Sequence, residues 1–408
     1  MVKLASTTRL VGAFAALVLL SSACTGKRQV KQPQGLSALP KAAAGTSSGP
    51  PASDPSGAPP GATKGLAKAP ARAPSGALVP KNLDVYAADH AGMLSPAVAR
   101  ALRLIYVPNS GDNTVDVIDP STYQVVAHWR TGKLPQHVTP SWDLKTLYVD
   151  NDLGNSLTPI DPTTGKPGKP IPVADPYNLY FTADGSKAIV VAEKLRRLDL
   201  RDAHTFKLIK SVRVPCSGVD HMDYTADARY ALVSCEFSGQ MLQLDLTRMS
   251  VVRAFALGAS PQDVKLSPDG RTFYVADQKA NGVFLVDAVS FKKVGFLPTG
   301  RGTHGLYVSR DSSVLYVSNR LAGTVSVIDL TTRRIINQWH IGGSPDMGGV
   351  SADGTKLWLS GRYNARVYVI DTRTGKLLQS IKVGRGPHGL AVFPQPGRYS
   401  IGHTGVYR

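Results

Sequence analysis

His137, His221, His304 and His388 are four of only nine histidines in a chain of 408 residues, and all four fall at two adjacent positions of a 42-residue repeat. Other copies place Asn178, Asp263 and Asp346 there, with Gln136, Asp220 and Gln262 alongside. Imidazole and carboxylate together suit a borderline divalent cation such as Zn²⁺ or Cu²⁺. Opposite sides of a ring of repeats lie too far apart to share one ion at about 2 Å. Neighbouring repeats can bring together His304, Asp346 and His388, which form the candidate metal set. The same residue types also satisfy backbone groups in tight loops, so a structural role stands beside the chemical one.

Arg301, Arg320, Arg362 and Arg385 occupy the loop columns around His304 and His388, whereas Asp175, Glu193, Asp220, Glu236, Asp263 and Asp277 occupy them in the middle repeats. The loop face is therefore expected to be polarised, basic on one side and acidic on the other, with Asp346 the exception. Arginine makes bidentate contacts with carboxylate or phosphate, which fits an anionic or zwitterionic ligand. The candidate ligand-binding residues are His137, His221, Asp263, Arg301, His304, Arg320, Asp346, Arg362, Arg385 and His388. No catalytic residue is assigned, because the chain has no GxSxG, HExxH, P-loop or CxxCH motif. No cofactor is expected, with a divalent metal as the alternative. Three functional classes follow: a binding or protein-interaction module, a metal- or cofactor-dependent oxidoreductase-like enzyme, and a binder of polyanions or single-stranded DNA. An aromatic content of 7% argues against base stacking and so against nucleic acid as partner.

The elements that position these residues are legible from the repeat. "YVPN", "YVDN", "VVAE", "LVSC", "YVAD", "YVSN" and "WLSG" end at Asn109, Asn151, Glu193, Cys235, Asp277, Asn319 and Gly361, each 42 positions after the last. A second column of Asp closes a following run at Asp119, Asp161, Asp245, Asp287, Asp329 and Asp371, with Asp199 the match in the third copy, four residues early. Each copy alternates apolar and polar residues over short runs separated by Gly, Asn or Asp, which reads as about four strands with hairpin turns. Four strands per 42 residues is the size of a propeller blade. The expected fold is all-β, a seven-bladed β-propeller of four-stranded antiparallel blades. It is closed by the C-terminal strand Gly389–Phe393 joining the first blade, whose own sequence starts at its second strand. Lys207, Lys210, Arg213, Lys292, Lys293, Lys376 and Lys382 fall on outermost strands, where charge blocks edge-to-edge pairing.

The motifs Tyr-Val-x-Asn, Val-Ile-Asp and Pro-His-Gly resemble those of the YVTN-repeat β-propellers over about three quarters of the chain. That resemblance implies the propeller fold. Relatives of this type include surface and periplasmic binding proteins, one branch reported to bind single-stranded DNA, and similar propellers carry metal or haem sites. The tail "FPQPGRYSIGHTGVYR" resembles that of exported actinobacterial members.

Composition and the N-terminus bear on location. The net charge is +18 and 42% of residues are hydrophobic, enough for a real core. Lys3 and Arg9 precede an apolar run, Leu10–Leu20, of signal-peptide rather than membrane-spanning length. Ser21-Ser22-Ala23-Cys24 resembles a lipobox, so residues 1–23 are expected to be a signal peptide and Cys24 the lipidated N-terminus. Residues 24–80 read as a disordered Pro/Ala/Gly-rich tether, 81–103 as a lead-in segment, 104–393 as the propeller and 394–408 as a tail. The expectation is an extracytoplasmic, membrane-anchored monomer, secreted if not lipidated. Cys216 and Cys235 both project at one face of the fourth blade, and in an oxidising compartment a disulfide is expected.

Overall fold

Short alternating runs can bury only one face each, so they must pair into sheets and stack sheet on sheet. The computed structural model describes residues 83–403 and 406–408. The signal segment, Cys24 and the tether lie outside these residues. Seven antiparallel sheets follow one another around an axis, five built from consecutive strands, one extended by a C-terminal hairpin and one closed by the chain's two ends. In that closing sheet Ala391–Phe393 pairs antiparallel with Leu104–Tyr106, ahead of Thr114–Asp119 and Gln124–Arg130, as the count of strands required. This is blade 1. Blades 2 to 7 begin with their innermost strands at Pro135, Asn178, Val219, Pro261, Thr303 and Pro345. The outer strand of blade 2 is interrupted between Lys166–Pro167 and Ile171–Pro172, where proline removes ladder donors.

The two repeat columns have structural work to do. Asn109, Asn151 and Asn319 are fully buried and donate from Nδ2 to hydroxyls or a carboxylate of the next strand, including Asp116 at 2.9 Å, Thr158 at 2.9 Å and Ser326 at 3.0 Å. The Asp column ends the third strand and accepts backbone N–H groups of the following turn, as Asp329 does from Thr332. In the third copy this is done by Asp202, which accepts from His204 and Thr205. Asp199, the residue expected there, is instead buried between Arg197 and Arg201. The hairpin of that copy is one residue shorter, so its Asp comes one place early rather than four, and the 42-residue spacing is kept. The outer-strand lysines and arginines expected at blade edges are exposed.

Five inner strands carry a register shift against their neighbour, between Pro135 and Val138, Val219 and Met222, Pro261 and Val264, Thr303 and Leu306, and Pro345 and Gly348. A bulge re-aims the unpaired residues. Those residues are the Gln136-His137, Asp220-His221, Gln262-Asp263, His304-Gly305 and Asp346-Met347 pairs. Ser234 and Ser318, from the neighbouring strands, brace two of the bulges: each takes an N–H at 2.9–3.0 Å and donates to a carbonyl.

The segment expected to be a tail beyond the ring turns back into it. Ser400–Gly402 adds to the innermost strand of blade 3, Asn178–Phe181, and pairs with Val406–Tyr407 as a hairpin. Gly402 sits at φ +103°, and a Cβ there would come within 2.3 Å of the Leu179 carbonyl oxygen, so this approach needs glycine. Arg408 donates to Asp223 at 2.7 Å and lies over the Tyr86 ring. Tyr86 belongs to the lead-in segment, which includes a 3₁₀ turn at Pro96–Val98, and donates to the Leu266 carbonyl. Lead-in and hairpin therefore occupy the channel end away from the bulges. Among the described residues no helix is long and apolar enough to cross a membrane.

Candidate functional site

The bulges deliver their side chains to the axis, and the imidazoles meet there. Ring centroids are 5.4 Å apart for His137 and His221, 5.0 Å for His137 and His388, 5.7 Å for His304 and His388, and 6.3 Å for His221 and His304. All four rings are buried. Imidazoles two blades apart, such as His137 and His221, thus approach as closely as the His304 and His388 pair expected to converge. Inner strands crowd together at the axis, and side chains several ångströms long close the remaining gap. A fifth imidazole joins them: His403, at the end of Ser400–Gly402, lies 4.5 Å from His221 and 5.2 Å from His137. It is outside the repeat, so no column pointed to it. The clue was the strand-like alternation of Ser400-Ile401-Gly402 beside a ring that needed no further strand.

Asp346 is fully buried and already engaged. Its carboxylate takes Arg320 Nη2 at 2.6 Å and Nε at 2.8 Å, lies 2.9 Å from His388 Nδ1 and 3.3 Å from His304 Nδ1. The three residues named for a metal are thus gathered, but around an arginine that holds one carboxylate oxygen, with His388 on the other. Asp263 accepts the Leu306 N–H at 2.9 Å, tying blade 5 to blade 6, and its other oxygen is 3.5 Å from His403 Nε2. Burial alone would raise Asp263, but Lys265 and His403 hold it well below the usual carboxylate range.

Burial keeps His137, His304 and His388 neutral, their pKa values pushed well below the ordinary imidazole value, and the surrounding imidazoles and arginines add to the shift. Burial and His221 bring His403 down to about 3. His221 differs. Burial works against its charge, but Asp220, whose Oδ1 is 2.8 Å from Nδ1, and Asp263 raise it above the ordinary value.

Above the imidazoles the mouth is polarised as expected. Asp152 is pushed up to about 7 by burial and by the neighbouring Asp175 carboxyl. Glu193 is pushed up to about 8 by burial and by Asp220, Asp152 and Glu236, and Glu236 is raised by burial and Asp220. On the other side stand Arg320 and Arg362. Burial lowers Arg362 despite Asp346, and its Nη1 has no hydrogen-bond partner among the described residues. Arg385 is exposed and occupied by Asp112 at 2.6 Å, and Arg301 is exposed. Asp277 accepts four backbone N–H groups of adjacent loops, including Ser260 at 3.0 Å and Ala280 at 2.7 Å, and serves structure. Cys216 and Cys235 are joined by a disulfide at the mouth end of blade 4.

One ring of residues escaped the sequence reading. Leu153, Leu195, Phe237, Leu321 and Tyr363 are 39%, 47%, 63%, 51% and 61% exposed. Each stands two positions after the Tyr-Val-x-Asn column, so the five encircle the polarised mouth. The signal was available in the repeat itself, since blade 5 has Lys279 and blade 1 Gly111 at this position.

Fold and site together define a seven-bladed propeller with a charged, imidazole-floored mouth and an apolar rim. The profile of the YNCE-like beta-propeller family matches residues 75–397, and the chain belongs to that family. No curated protein matches the sequence. Solved structures that resemble it include the Kuenenia stuttgartiensis hydrazine synthase, with 17% identity and a TM-score of 0.59 over 68% of this chain and 94% of that one. A functionally unknown protein from Desulfotomaculum acetoxidans has 15% identity and a TM-score of 0.62 over 71% of this chain and 99% of that one. The dihydro-heme d1 dehydrogenase NirN, in complex with DHE, has 17% identity and a TM-score of 0.56 over 71% and 75%. At these identities the likeness is one of fold alone.

Proposed function

We propose that the chain is an exported, membrane-tethered binding module whose mouth face docks a protein partner. The observation that carries this reading is the rim. Five large apolar side chains are left exposed at one repeat position around a charged centre, and apolar surface gathered in this way marks an interaction site. The centre takes a charged group of the partner, a carboxylate for Arg362 or an amine for Glu193 and Glu236. Export is supported by the leader-like run Leu10–Leu20 and the lipobox-like Ser21–Cys24, and by a disulfide of the kind that persists in oxidising compartments.

Photo-crosslinking tests the docking face. A photoreactive residue at Phe237 is expected to trap a discrete partner, one at Val294 on an outer strand to trap none, and Leu195→Glu to abolish the Phe237 adduct. Equal, diffuse labelling from both positions would end the proposal. Tethering is tested separately: the Cys24→Ala chain should leave the detergent phase of a phase-separation assay for the aqueous phase.

A further inference from the structure

Five imidazoles in one buried cluster need a reason, because a buried ring nitrogen without a partner is costly and apolar side chains would pack the axis better. His137 Nε2 and His221 Nε2 have no hydrogen-bond partner among the described residues. In each ring the other nitrogen faces an oxygen, hydrogen-bonded in His137 and an ion-pair contact alone in His221. His137 Nδ1 lies 2.9 Å from the Tyr177 carbonyl oxygen, which only accepts, so Nδ1 carries the proton and Nε2 keeps its lone pair. His221 Nδ1 lies 2.8 Å from Asp220 Oδ1, an ion-pair contact with the preceding residue. An oxygen on Nδ1 that orients the ring and leaves Nε2 as donor is the outer-shell arrangement of metal-binding histidines. His403 Nδ1 accepts from Asn178 Nδ2 at 3.2 Å and its Nε2 lies 3.5 Å from Asp263 Oδ1, so ligation takes the place of one of these contacts. One ring nitrogen from each of His137, His221 and His403 falls within 4.8 Å of the other two. Two nitrogens on a tetrahedral ion stand about 3.4 Å apart, so rotations of about an ångström complete the set.

We propose that His137, His221 and His403 bind one borderline divalent transition-metal ion of the Zn²⁺ and Cu²⁺ class. Three imidazole donors and no carboxylate ligand select this class over Mg²⁺ and Ca²⁺, which take oxygen ligands. The donors come from blade 2, blade 4 and the C-terminal hairpin, so the ion clips the hairpin into the channel. Asp220, Glu193 and Glu236 line the approach from the mouth, and the lead-in and hairpin close the other end. The site stands apart from the neighbouring His304, Asp346 and His388, whose carboxylate Arg320 occupies.

The test uses the full-length chain, stripped with a chelator and titrated with Zn²⁺, Cu²⁺ and, as a spectroscopic probe, Co²⁺. One equivalent of Zn²⁺ is expected, together with the strong visible bands of four- or five-coordinate Co²⁺ on the unmutated chain. Asp220→Asn should weaken binding roughly 10–100-fold, and His403→Gln should weaken it by more than about 100-fold. Arg362→Gln and the exposed His204→Gln should bind as the parent does, which separates this site from the docking face. No stoichiometric ion, weak octahedral Co²⁺ bands, or full binding by His403→Gln would each overturn the proposal. So would loss of the ion in His304→Gln with retention in His403→Gln, which would move it to the neighbouring triad.

Discussion

Single side chains here carry several obligations at once. Asp346 braces two imidazoles and an arginine, all buried, and its charge is tolerable only while the guanidinium stays. Removing one member of a buried pair strands the other. Arg320→Ala should therefore cost about 3–5 kcal/mol in urea unfolding. A loss below about 1 kcal/mol would mean that water reaches Asp346. Glu193 makes the opposite demand. Its pKa of about 8 in the fold exceeds the ordinary 4.5, so the folded chain holds a proton that the unfolded chain has released. Stability from this group therefore falls as pH rises through that window and levels off above it. Glu193→Gln should raise the melting temperature more at about pH 8 than at about pH 5, and an equal gain at both would refute the assignment. A cation brought by a partner would relieve the same cost.

At the scale of elements, the bulged inner strands and the hairpin decide what the axis contains. The hairpin buries Ile401 and Tyr407, each worth about 1.5–3 kcal/mol, and shields Asp223 with Arg408. A chain ended after Pro396 should still fold, with stability lower by at least about 3 kcal/mol by denaturant titration. Unchanged stability would show that the hairpin is not seated in solution. The disulfide spans a separation of 19 residues and fastens the loop before His221 to the end of the next strand. Replacing both cysteines with alanine should cost about 3 kcal/mol, chiefly by freeing the unfolded chain. Calorimetry under non-reducing conditions would measure it, and no change in the melting temperature would count against a formed bond.

For the whole molecule, closure is the controlling feature. Every blade buries its faces against two others, and Ala391–Phe393 completes the first sheet. Ending the chain after Leu390 leaves blade 1 with an open inner edge and its neighbours half covered. That chain should lose the cooperative transition that the Pro396 truncation keeps. The comparison isolates ring closure from channel filling, and a sharp transition in both would show that the ring does not depend on its latch.

Much of this was already legible in the one-dimensional chain. Local alternation specifies strands, a 42-residue period specifies identical modules, and the half-copy at each end specifies how they close, because pairing rules act on neighbours in sequence. The charge polarity of the mouth followed from the same register, as did the apolar rim, although the rim went unread. Two decisions belonged to tertiary structure alone. The inner-strand bulges, with the segment leading into the closing strand, bring imidazoles from blades 2, 4, 6 and 1 to within a few ångströms, a distance that depends on how closely seven sheets pack. The hairpin adds His403 from a segment with no repeat to announce it, since its partner strand lies more than 200 residues away and is chosen by shape rather than by order along the chain.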